Sequence, residues 1–310
     1  MEWTAEAPQR LDIYLAQNGV ALSRVQAKDV IGRGLVLVNG RMARKAAYML
    51  KPGDKVETSE TGEPVTETRL TAVDLQLPVL YEDDDCFVIN KPSGIAVHPG
   101  AGLPKDEPTI LHGVVQLFAE RALPFSSAAV LVHRLDKETT GCLLVAKSPE
   151  AHKFFQQQFE NRTVQKFYLA IVAGIPSPPA ALIDAPVGRS AIARTKMSII
   201  GASRSREART TYRTLSASQD AALLACELHT GRTHQIRVHL QSLGHPILGD
   251  ATYGSNASEK LSSTFGADSV CLHAWELNFL AKDGKAIKVK APPPAAFTKV
   301  LERAGLKFNG

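Results

Sequence analysis

A polar run divides this chain into two unequal parts. Ser59–Thr68 is rich in Thr and Glu and has no apolar period, so it can contribute little to a hydrophobic core. We therefore predict a linker over residues 61–77, a small domain over residues 1–60 and a larger one over residues 78–310. Because 44% of the 310 residues are apolar, the chain can bury a sizeable core.

The first sixty residues have the pattern of two helices followed by a small β element. Leu11 and Leu15 recur at helical spacing. Ser23-x-x-Gln26 is a capping box that begins a second helix, which ends near residue 32 or 34. Leu35–Val38 then predicts a strand, and Asn39-Gly40 predicts a tight turn.

Short apolar runs predict most of the strands in the larger part. These runs are Cys86–Ile89, Ala128–Val132, Cys142–Ala146, Phe167–Val172 and Leu223–Leu228. The strands do not alternate regularly with helices, which favours a mixed α+β sheet over a doubly wound parallel one.

Three further segments of the larger part carry weaker signals. Ser148-Pro149-Glu150 predicts the start of a helix. Arg209–Thr214 alternates Thr and Arg around Tyr212, as an exposed strand does, and Ser255–Ala267 has the composition of a Ser-rich loop.

Basic residues are concentrated in two segments. Residues 23–55 hold eight bases and two acids, and residues 188–213 hold seven bases and one acid. The net charge of the whole chain is only +5, so the remainder is acidic. Clustered Lys and Arg bind phosphates, and two such clusters favour a polyanionic partner held at two places.

Several function classes are disfavoured. No apolar run approaches the ~18 residues of a membrane-spanning helix, and the amino terminus is acidic where a secretory signal is basic. Cys86, Cys142, Cys226 and Cys271 are too widely spaced for a disulfide framework or a zinc site and are expected to be reduced, buried thiols. The nine histidines form no metal-ligand motif, and the glycines form no nucleotide-binding loop. We therefore expect a cytoplasmic protein without a metal site.

The polar block His133–Gly141 is the strongest candidate for chemistry. It stands between two apolar runs, so Asp136 is expected on a loop at the edge of the sheet, where a substrate can reach it. On residue types alone, an ordinary turn with Asp136 capping backbone amides is the more frequent outcome.

Two further side chains are candidates by position. Ile236, Leu240 and Leu243 recur at helical spacing, and Arg237 lies about 100° from Ile236, at the border of that apolar stripe. Arg237 then either reaches sideways into a cleft or is solvated at the flank of the helix. Tyr168 alternates with apolar neighbours in a strand and is most simply a core or rim aromatic.

Taken together, these segments resemble a known family. His133-Arg134-Leu135-Asp136-x-x-Thr139-Thr140-Gly141 resembles the catalytic motif of the RluA family of pseudouridine synthases, with Thr140 where the family commonly has Ser. Further segments resemble the family's motifs in the same order: Tyr81–Pro99, Lys166-x-Tyr168-x-Ala170, Thr230–Leu240, Gly244–Gly254 and Leu272–Ala274. Arg10–Asp12, Ser23–Gln26 and Val38–Gly40 resemble a small RNA-binding domain named after a small-subunit ribosomal protein.

The resemblance implies a fold and a reaction. The fold is α+β: a small αL-type RNA-binding domain, then a mixed, largely antiparallel sheet flanked by helices. The reaction turns a uridine into pseudouridine by moving the sugar bond from a ring nitrogen to a ring carbon, without a cofactor. Asp136 acts at the sugar as nucleophile or as base, Tyr168 stacks on the uracil, and Arg237 pairs with Asp136 and keeps it ionised.

The resemblance also implies partners. The predicted RNA-binding residues are Arg24, Lys28, Arg33, Arg41, Arg134, Arg232 and His234. We expect ribosomal RNA of the large subunit as substrate, with transfer RNA less favoured, and a monomeric enzyme. Two rival hypotheses stay open: an RNA-binding protein without catalysis, and a hydrolase that releases free uracil.

Overall fold

The computed structural model of the chain forms two compact units, Met1–Thr71 and Ala72–Gly310. It describes residues 2–21, 23–58, 70–99, 103–104, 106–127, 129–193 and 196–308. The polar run that predicts the linker lies outside the described residues. Residues 72–77, which we assign to the linker on sequence, belong to the second unit, where Leu77 is buried.

In its described residues, the first unit has two helices and short strands. Its elements are β1 (Glu2–Thr4), β2 (Gln9–Arg10), α1 (Leu11–Gln17), α2 (Arg24–Gly32), β3 (Val36–Val38), β4 (Arg41–Met42), β5 (Met49–Leu50) and β6 (Lys55–Thr58). Ser23 caps α2 by accepting the Gln26 N–H, as the capping box predicts. Asn39 and Gly40 both have positive φ, as the tight turn between β3 and β4 requires.

The second unit holds the other elements. They are β7 (Val79–Glu82), β8 (Cys86–Lys91), α3 (Ile110–Glu120), β9 (Thr140–Ala146), α4 (Pro149–Glu160), β10 (Gln165–Ala173), β11 (Ala180–Asp184), β12 (Val187–Ser190), β13 (Met197–Ser198), β14 (Ala202–Arg206), β15 (Arg209–Ala217), β16 (Ala221–Leu228), α5 (Gln235–Ser242), α6 (Asn256–Phe265), β17 (Leu272–Leu280), β18 (Ala286–Lys290) and α7 (Ala295–Arg303).

A nine-stranded sheet forms the centre of the second unit. Its strand order is β11-β15-β16-β10-β17-β9-β8-β7, with β18 paired to β17. Its strand pairs are antiparallel within the described residues, except for the parallel pair of β9 with β17, so the sheet is mixed and largely antiparallel, as predicted. Strand β17, late in the chain, lies between β9 and β10. A separate small sheet has the order β13-β12-β14.

Of the predicted strand Ala128–Val132, Ala128 lies outside the described residues, and residues 129–132 do not form a strand. Leu131 makes only an isolated bridge with Val145, and the Ala146 N–H bonds to the Val130 carbonyl. The next residue along this edge of β9 is Leu144. Its backbone N–H donates to the side chain of His133 instead of to a neighbouring strand.

Two further predictions are also wrong: that the strand around Tyr212 is exposed, and that Ser255–Ala267 is a loop. Tyr212 is 2% exposed, because it lies on the inner face of β15 and its hydroxyl donates to the Pro178 carbonyl. The Ser-rich segment contains helix α6 instead of being a loop throughout, with Ser255 as its amino-terminal cap.

The buried state of the cysteines agrees with the sequence analysis. Cys86, Cys142, Cys226 and Cys271 are free and buried, and burial raises the pKa of each thiol. Within the described ranges, no helix has the length and apolarity to cross a membrane.

Candidate active site

Lys91, the last residue of β8, holds the loop that carries Asp136. Its ammonium donates to the backbone carbonyls of Pro92 (2.7 Å), Lys137 (2.8 Å) and Thr139 (2.9 Å). Lys91 is fully buried, and burial lowers its pKa to about 8, although the charges of Glu138 and Asp136 act in the opposite direction. Sequence reasoning did not single out Lys91 as a site residue; a charge two residues after the apolar run Cys86–Ile89 was the available signal.

His133 anchors the start of the loop. Its Nε2 accepts the Leu144 N–H at 2.9 Å, and its ring stacks on Phe159 with centroids 4.6 Å apart. Burial, with a smaller contribution from the charge of Lys166, lowers the pKa of His133 to about 3. A neutral imidazole is therefore part of the folded loop.

Thr140 and Gly141 anchor its end. The Nε2–H of His273 donates to the Ala291 carbonyl, so its Nδ1 accepts the Thr140 hydroxyl proton at 2.7 Å. Gly141 has φ +108°, and a Cβ there would lie 2.2 Å from the Ala274 carbonyl oxygen. Only glycine fits where β9 meets β17.

Helix α5 places Arg237 next to the loop. The guanidinium forms a fork with Asp250, with Nε to Oδ2 at 2.7 Å and Nη2 to Oδ1 at 2.8 Å. Its remaining nitrogen, Nη1, lies 3.6 Å from Oδ2 of Asp136. The structure thus brings Arg237 to Asp136 as predicted, but the bidentate partner is Asp250.

The burial of Arg237 also differs from the border position predicted from the helical pattern. Arg237 is 6% exposed, whereas Leu243, assigned to the apolar stripe, is 42% exposed. Burial alone would lower the pKa of Arg237, but the hydrogen bonds and charge of Asp250, with the charge of Asp136, raise it. Asp250 lies in Gly244–Gly254, a segment that resembles a family motif. Nothing in the neighbouring sequence identified Arg237 as its partner.

Asp250 also holds the loop that follows it. Its Oδ1 accepts the backbone N–H groups of Thr252 and Tyr253, both at 3.0 Å. The ring of Tyr253 lies under the Arg237 guanidinium, 5.0 Å from ring centroid to Cζ. One buried carboxylate therefore positions both an arginine and a tyrosine beside Asp136.

His234 faces Asp136 from the amino-terminal end of α5. Its Nε2 lies 4.0 Å from Oδ1 of Asp136, and its Nδ1 lies 2.8 Å from the Tyr253 hydroxyl. The backbone of His234 is left-handed, with φ +55°. Gln235 fixes this turn, since its Oε1 accepts the Thr230 hydroxyl and the Arg232 N–H.

Tyr168, on β10, lines the same cleft as Asp136 and is 7% exposed. Burial raises its pKa, and the negative charge of Asp136 raises it further. The phenol therefore stays protonated at neutral pH, and the side chain forms part of the cleft wall.

The cleft has a volume of about 570 Å³ and a strongly basic lining. Its bases are Arg134, Arg162, Lys166, Arg206, Arg232 and Arg237, against the acids Asp136 and Glu160. Such a wall attracts the phosphates of a nucleic acid and leaves one carboxylate, Asp136, next to a buried cation. Within the part of the chain that the structure describes, no three His, Cys, Asp or Glu side chains are grouped as metal ligands.

Comparison with known proteins decides the family. The family model described as RNA pseudouridylate synthase matches residues 85–242, just over half of the chain. The chain belongs to this family. A second model, the S4 domain, matches residues 9–56.

Full-length relatives agree with this assignment. RNA pseudouridine synthase 2, chloroplastic, of Arabidopsis thaliana is 33% identical over 97% of this chain and 82% of its own length. Ribosomal large subunit pseudouridine synthase D of Zymomonas mobilis is 36% identical over 92% of this chain and 90% of its own length. The solved structure of human RNA Pseudouridylate Synthase Domain Containing 4 superposes with a TM-score of 0.61 at 29% identity, over 75% of this chain and 95% of that one. This pseudouridine synthase is therefore an isomerase.

The predicted RNA-binding residues fall into two sets. Arg134, Arg232 and His234 line the cleft of the synthase. The others, Arg24, Lys28, Arg33 and Arg41, are exposed on the S4 domain. Two of them also have acidic neighbours: Arg24 lies 3.4 Å from Asp12, and Arg33 lies 3.9 Å from Asp29.

Proposed function

We propose that this synthase isomerises uridine in large-subunit ribosomal RNA and that Asp136 is its catalytic carboxylate. The observation that carries the proposal is the position of Asp136, partly exposed in a basic cleft with a buried arginine 3.6 Å away. The printed name of the Zymomonas mobilis relative favours ribosomal RNA over transfer RNA as the substrate.

Each side chain then has a defined task. Asp136 attacks the anomeric carbon or takes a sugar proton, and either role needs an ionised carboxylate. Arg237 directs that carboxylate. Tyr168 stacks on the detached uracil and keeps it in the cleft while it turns.

The target uridine has to leave its stack to reach Asp136. Flipping costs a few kcal/mol, and phosphate contacts from Arg134, Arg232 and the exposed bases Lys28 and Arg41 of the S4 domain offset it. The reaction involves no net oxidation or reduction and transfers no phosphoryl group, so we propose that it needs no cofactor.

Replacing one atom of Asp136 tests the catalytic role. In cells that lack the gene, carbodiimide mapping of ribosomal and transfer RNA should show the lost pseudouridine. Complementation with the wild-type chain should restore it, whereas Asp136→Asn should not, because an amide is neither nucleophile nor base. Asp220→Asn, an exposed carboxylate outside the cleft lining, is the matched control and should restore the product.

The same preparations separate the synthase from its rivals. RNA affinity of Asp136→Asn within about tenfold of wild type would separate catalysis from binding. Free uracil in the wild-type reaction would indicate a hydrolase, and pseudouridine formed by the Asn variant would remove Asp136 from its role.

The cofactor-free proposal has its own test. Exhaustive dialysis with a chelator should leave turnover on a short, unstructured RNA unchanged. A loss restored by zinc or magnesium would contradict the proposal, and the unstructured substrate removes RNA unfolding as the explanation.

A further inference from the structure

The two oxygens of Asp136 face different side chains. Oδ2 lies 3.6 Å from Nη1 of Arg237, and Oδ1 lies 4.0 Å from Nε2 of His234. On sequence, His234 was expected only to contact RNA. Its position next to the carboxylate suggests a second role, which depends on which ring nitrogen carries the proton.

The hydrogen bonds of the Tyr253 hydroxyl indicate which ring nitrogen of His234 carries the proton. A backbone N–H can only donate, and the Met197 N–H points at the hydroxyl oxygen of Tyr253 at 2.9 Å. The hydroxyl therefore accepts from Met197 and is free to donate its own proton to the other neighbour, Nδ1 of His234, at 2.8 Å. An Nδ1 that accepts a hydrogen bond is unprotonated. In that arrangement, neutral His234 carries its proton on Nε2, the nitrogen that faces Asp136.

The surroundings favour this neutral form. A protonated His234 would carry a second N–H at Nδ1 and direct it at a hydroxyl that already accepts one from Met197. Burial lowers the pKa of His234; the charge of Asp136 raises it, that of Arg237 lowers it, and Asp250 and Arg134 make smaller contributions of opposite sign.

The arrangement is rigid because Asp250 holds it. The carboxylate of Asp250 accepts the Tyr253 N–H and binds the fork of Arg237. The Lys196 ammonium donates to the Thr252 carbonyl at 2.6 Å and ties the same loop to the small sheet. The groups that face both oxygens of Asp136 are thus positioned from one loop.

We propose that His234 is a positioning residue for Asp136, held as the Nε2–H tautomer by the Tyr253 hydroxyl. The inference rests on the proposed catalytic role of Asp136. The gap of 4.0 Å is about 1 Å longer than a hydrogen bond. The proposal requires the gap to close when RNA fills the cleft, so that an N–H directs one carboxylate oxygen and a guanidinium the other.

Two amide substitutions of His234 test which nitrogen matters. The side-chain NH₂ of Gln reaches the place of Nε2, whereas that of Asn reaches only the place of Nδ1. We expect His234→Gln to keep kcat within about threefold and His234→Asn to lower it by about 30-fold or more, with KM for RNA within about twofold for both. Equal losses in the two variants, or a rise in KM with unchanged kcat, would overturn the proposal in favour of a packing or RNA-contact role.

A spectroscopic measurement tests the tautomer without catalysis. In the ¹⁵N-labelled full chain, the ring nitrogens of His234, assigned by their absence in His234→Gln, should report Nε2–H at pH 7. Tyr253→Phe should mix the two tautomers and lower kcat. Tyr212→Phe, which removes a buried hydroxyl that donates to Pro178, is the matched control and should change neither.

The possible failures are distinguishable. Nδ1–H or a doubly protonated ring in the wild-type chain would overturn the inference, whatever the activity. Pseudouridine formed by Asp136→Asn would instead overturn the proposed function, and the tautomer of His234 would be unaffected by that result.

Discussion

The ion pair of Arg237 with Asp250 links packing to chemistry at the residue scale. Their side chains are 7% and 0% exposed, and the fork between them leaves Nη1 of Arg237 pointing at Asp136. A lysine carries the same charge without a planar fork, so it could not make the same pair of hydrogen bonds to Asp250.

Arg237→Lys should therefore behave as a severe substitution. We expect kcat to fall by about 100-fold, because a shift of about 1 Å in a positioning group has this size of effect. Urea unfolding should show a loss of about 1–3 kcal/mol, since Asp250 loses one of the two buried hydrogen bonds that it accepts from the guanidinium. Asp250→Asn, which keeps the charge of Arg237 but weakens the fork, should lower kcat similarly. Near-native turnover in either variant would contradict this role for the fork.

Lys91 gives a second prediction at this scale. Only the protonated amine of Lys91 has three N–H groups to donate to the three carbonyls. Loss of the proton above a pKa of about 8 should therefore loosen the Asp136 loop. We expect wild-type kcat to decline between about pH 8 and 9.5. Lys91→Met should lower kcat at pH 7 by no more than about tenfold. Its profile of kcat against pH should be flatter across the same range. Parallel pH profiles would show that another group titrates there, such as the uracil ring of the substrate.

At the scale of elements, the edge of β9 shows why one strand was mispredicted. The apolar run Ala128–Val132 has the composition of a strand, but at Leu144 the edge of β9 is bonded by the His133 ring. A side-chain acceptor leaves no trace in hydrophobic periodicity, so the sequence pattern could not distinguish it from a paired strand.

This use of His133 predicts a pH dependence of stability. The pKa of His133 is about 3 in the folded chain and about 6.5 when unfolded. The unfolded chain therefore binds more protons below pH 6.5, and the stability contributed by neutral His133, complete above that pH, is lost as pH falls toward 3. Between pH 7 and 5 the loss from this group amounts to at most about 2 kcal/mol. Gln can accept the Leu144 N–H without titrating, so His133→Gln should lose correspondingly less stability in urea unfolding at the two pH values. An identical pH dependence in both chains would contradict the assignment.

Helix α6 was mispredicted for a different reason. Ser-rich segments usually favour loops because their hydroxyls compete for backbone groups. Here Ser255 caps the helix, and the Ser262 and Ser263 hydroxyls donate to the carbonyls four residues earlier. Ser262 also accepts the Gly249 N–H. The hydroxyls are satisfied within the fold, a fact that composition does not contain.

At the scale of the whole molecule, the sequence predicted the order of domains and motifs along the chain better than it predicted which side chains contact each other. Motif order identified the family, the S4 domain and the mixed sheet, because local patterns carry that information. Asp250 as the partner of Arg237, and Tyr253 as the partner of His234, depend on how distant segments pack. Spacing along the chain does not determine such contacts.

The basic face of the S4 domain leads to a prediction about RNA affinity. Lys28→Gln with Arg41→Gln removes two exposed charges. We expect the slope of log affinity against log salt to become shallower by somewhat under one unit for each lost phosphate contact. Turnover on saturating short RNA should change much less than affinity. Lys285→Gln with Lys299→Gln, two exposed charges of the second unit, is the matched control. A fall in turnover at unchanged affinity would mean that the S4 domain helps to build the active site.

The place of β17 between β9 and β10 has a consequence for biosynthesis. The Asp136 loop leads into β9 and Tyr168 lies on β10, but the strand that joins these two begins only at Leu272, about a hundred residues after Tyr168. Until the ribosome has made β17, the facing edges of two apolar strands lack their native partner. Such edges are sites of aggregation and of chaperone binding in a nascent chain. The cleft wall that holds Asp136 and Tyr168 can therefore be completed only after β17 has been synthesised.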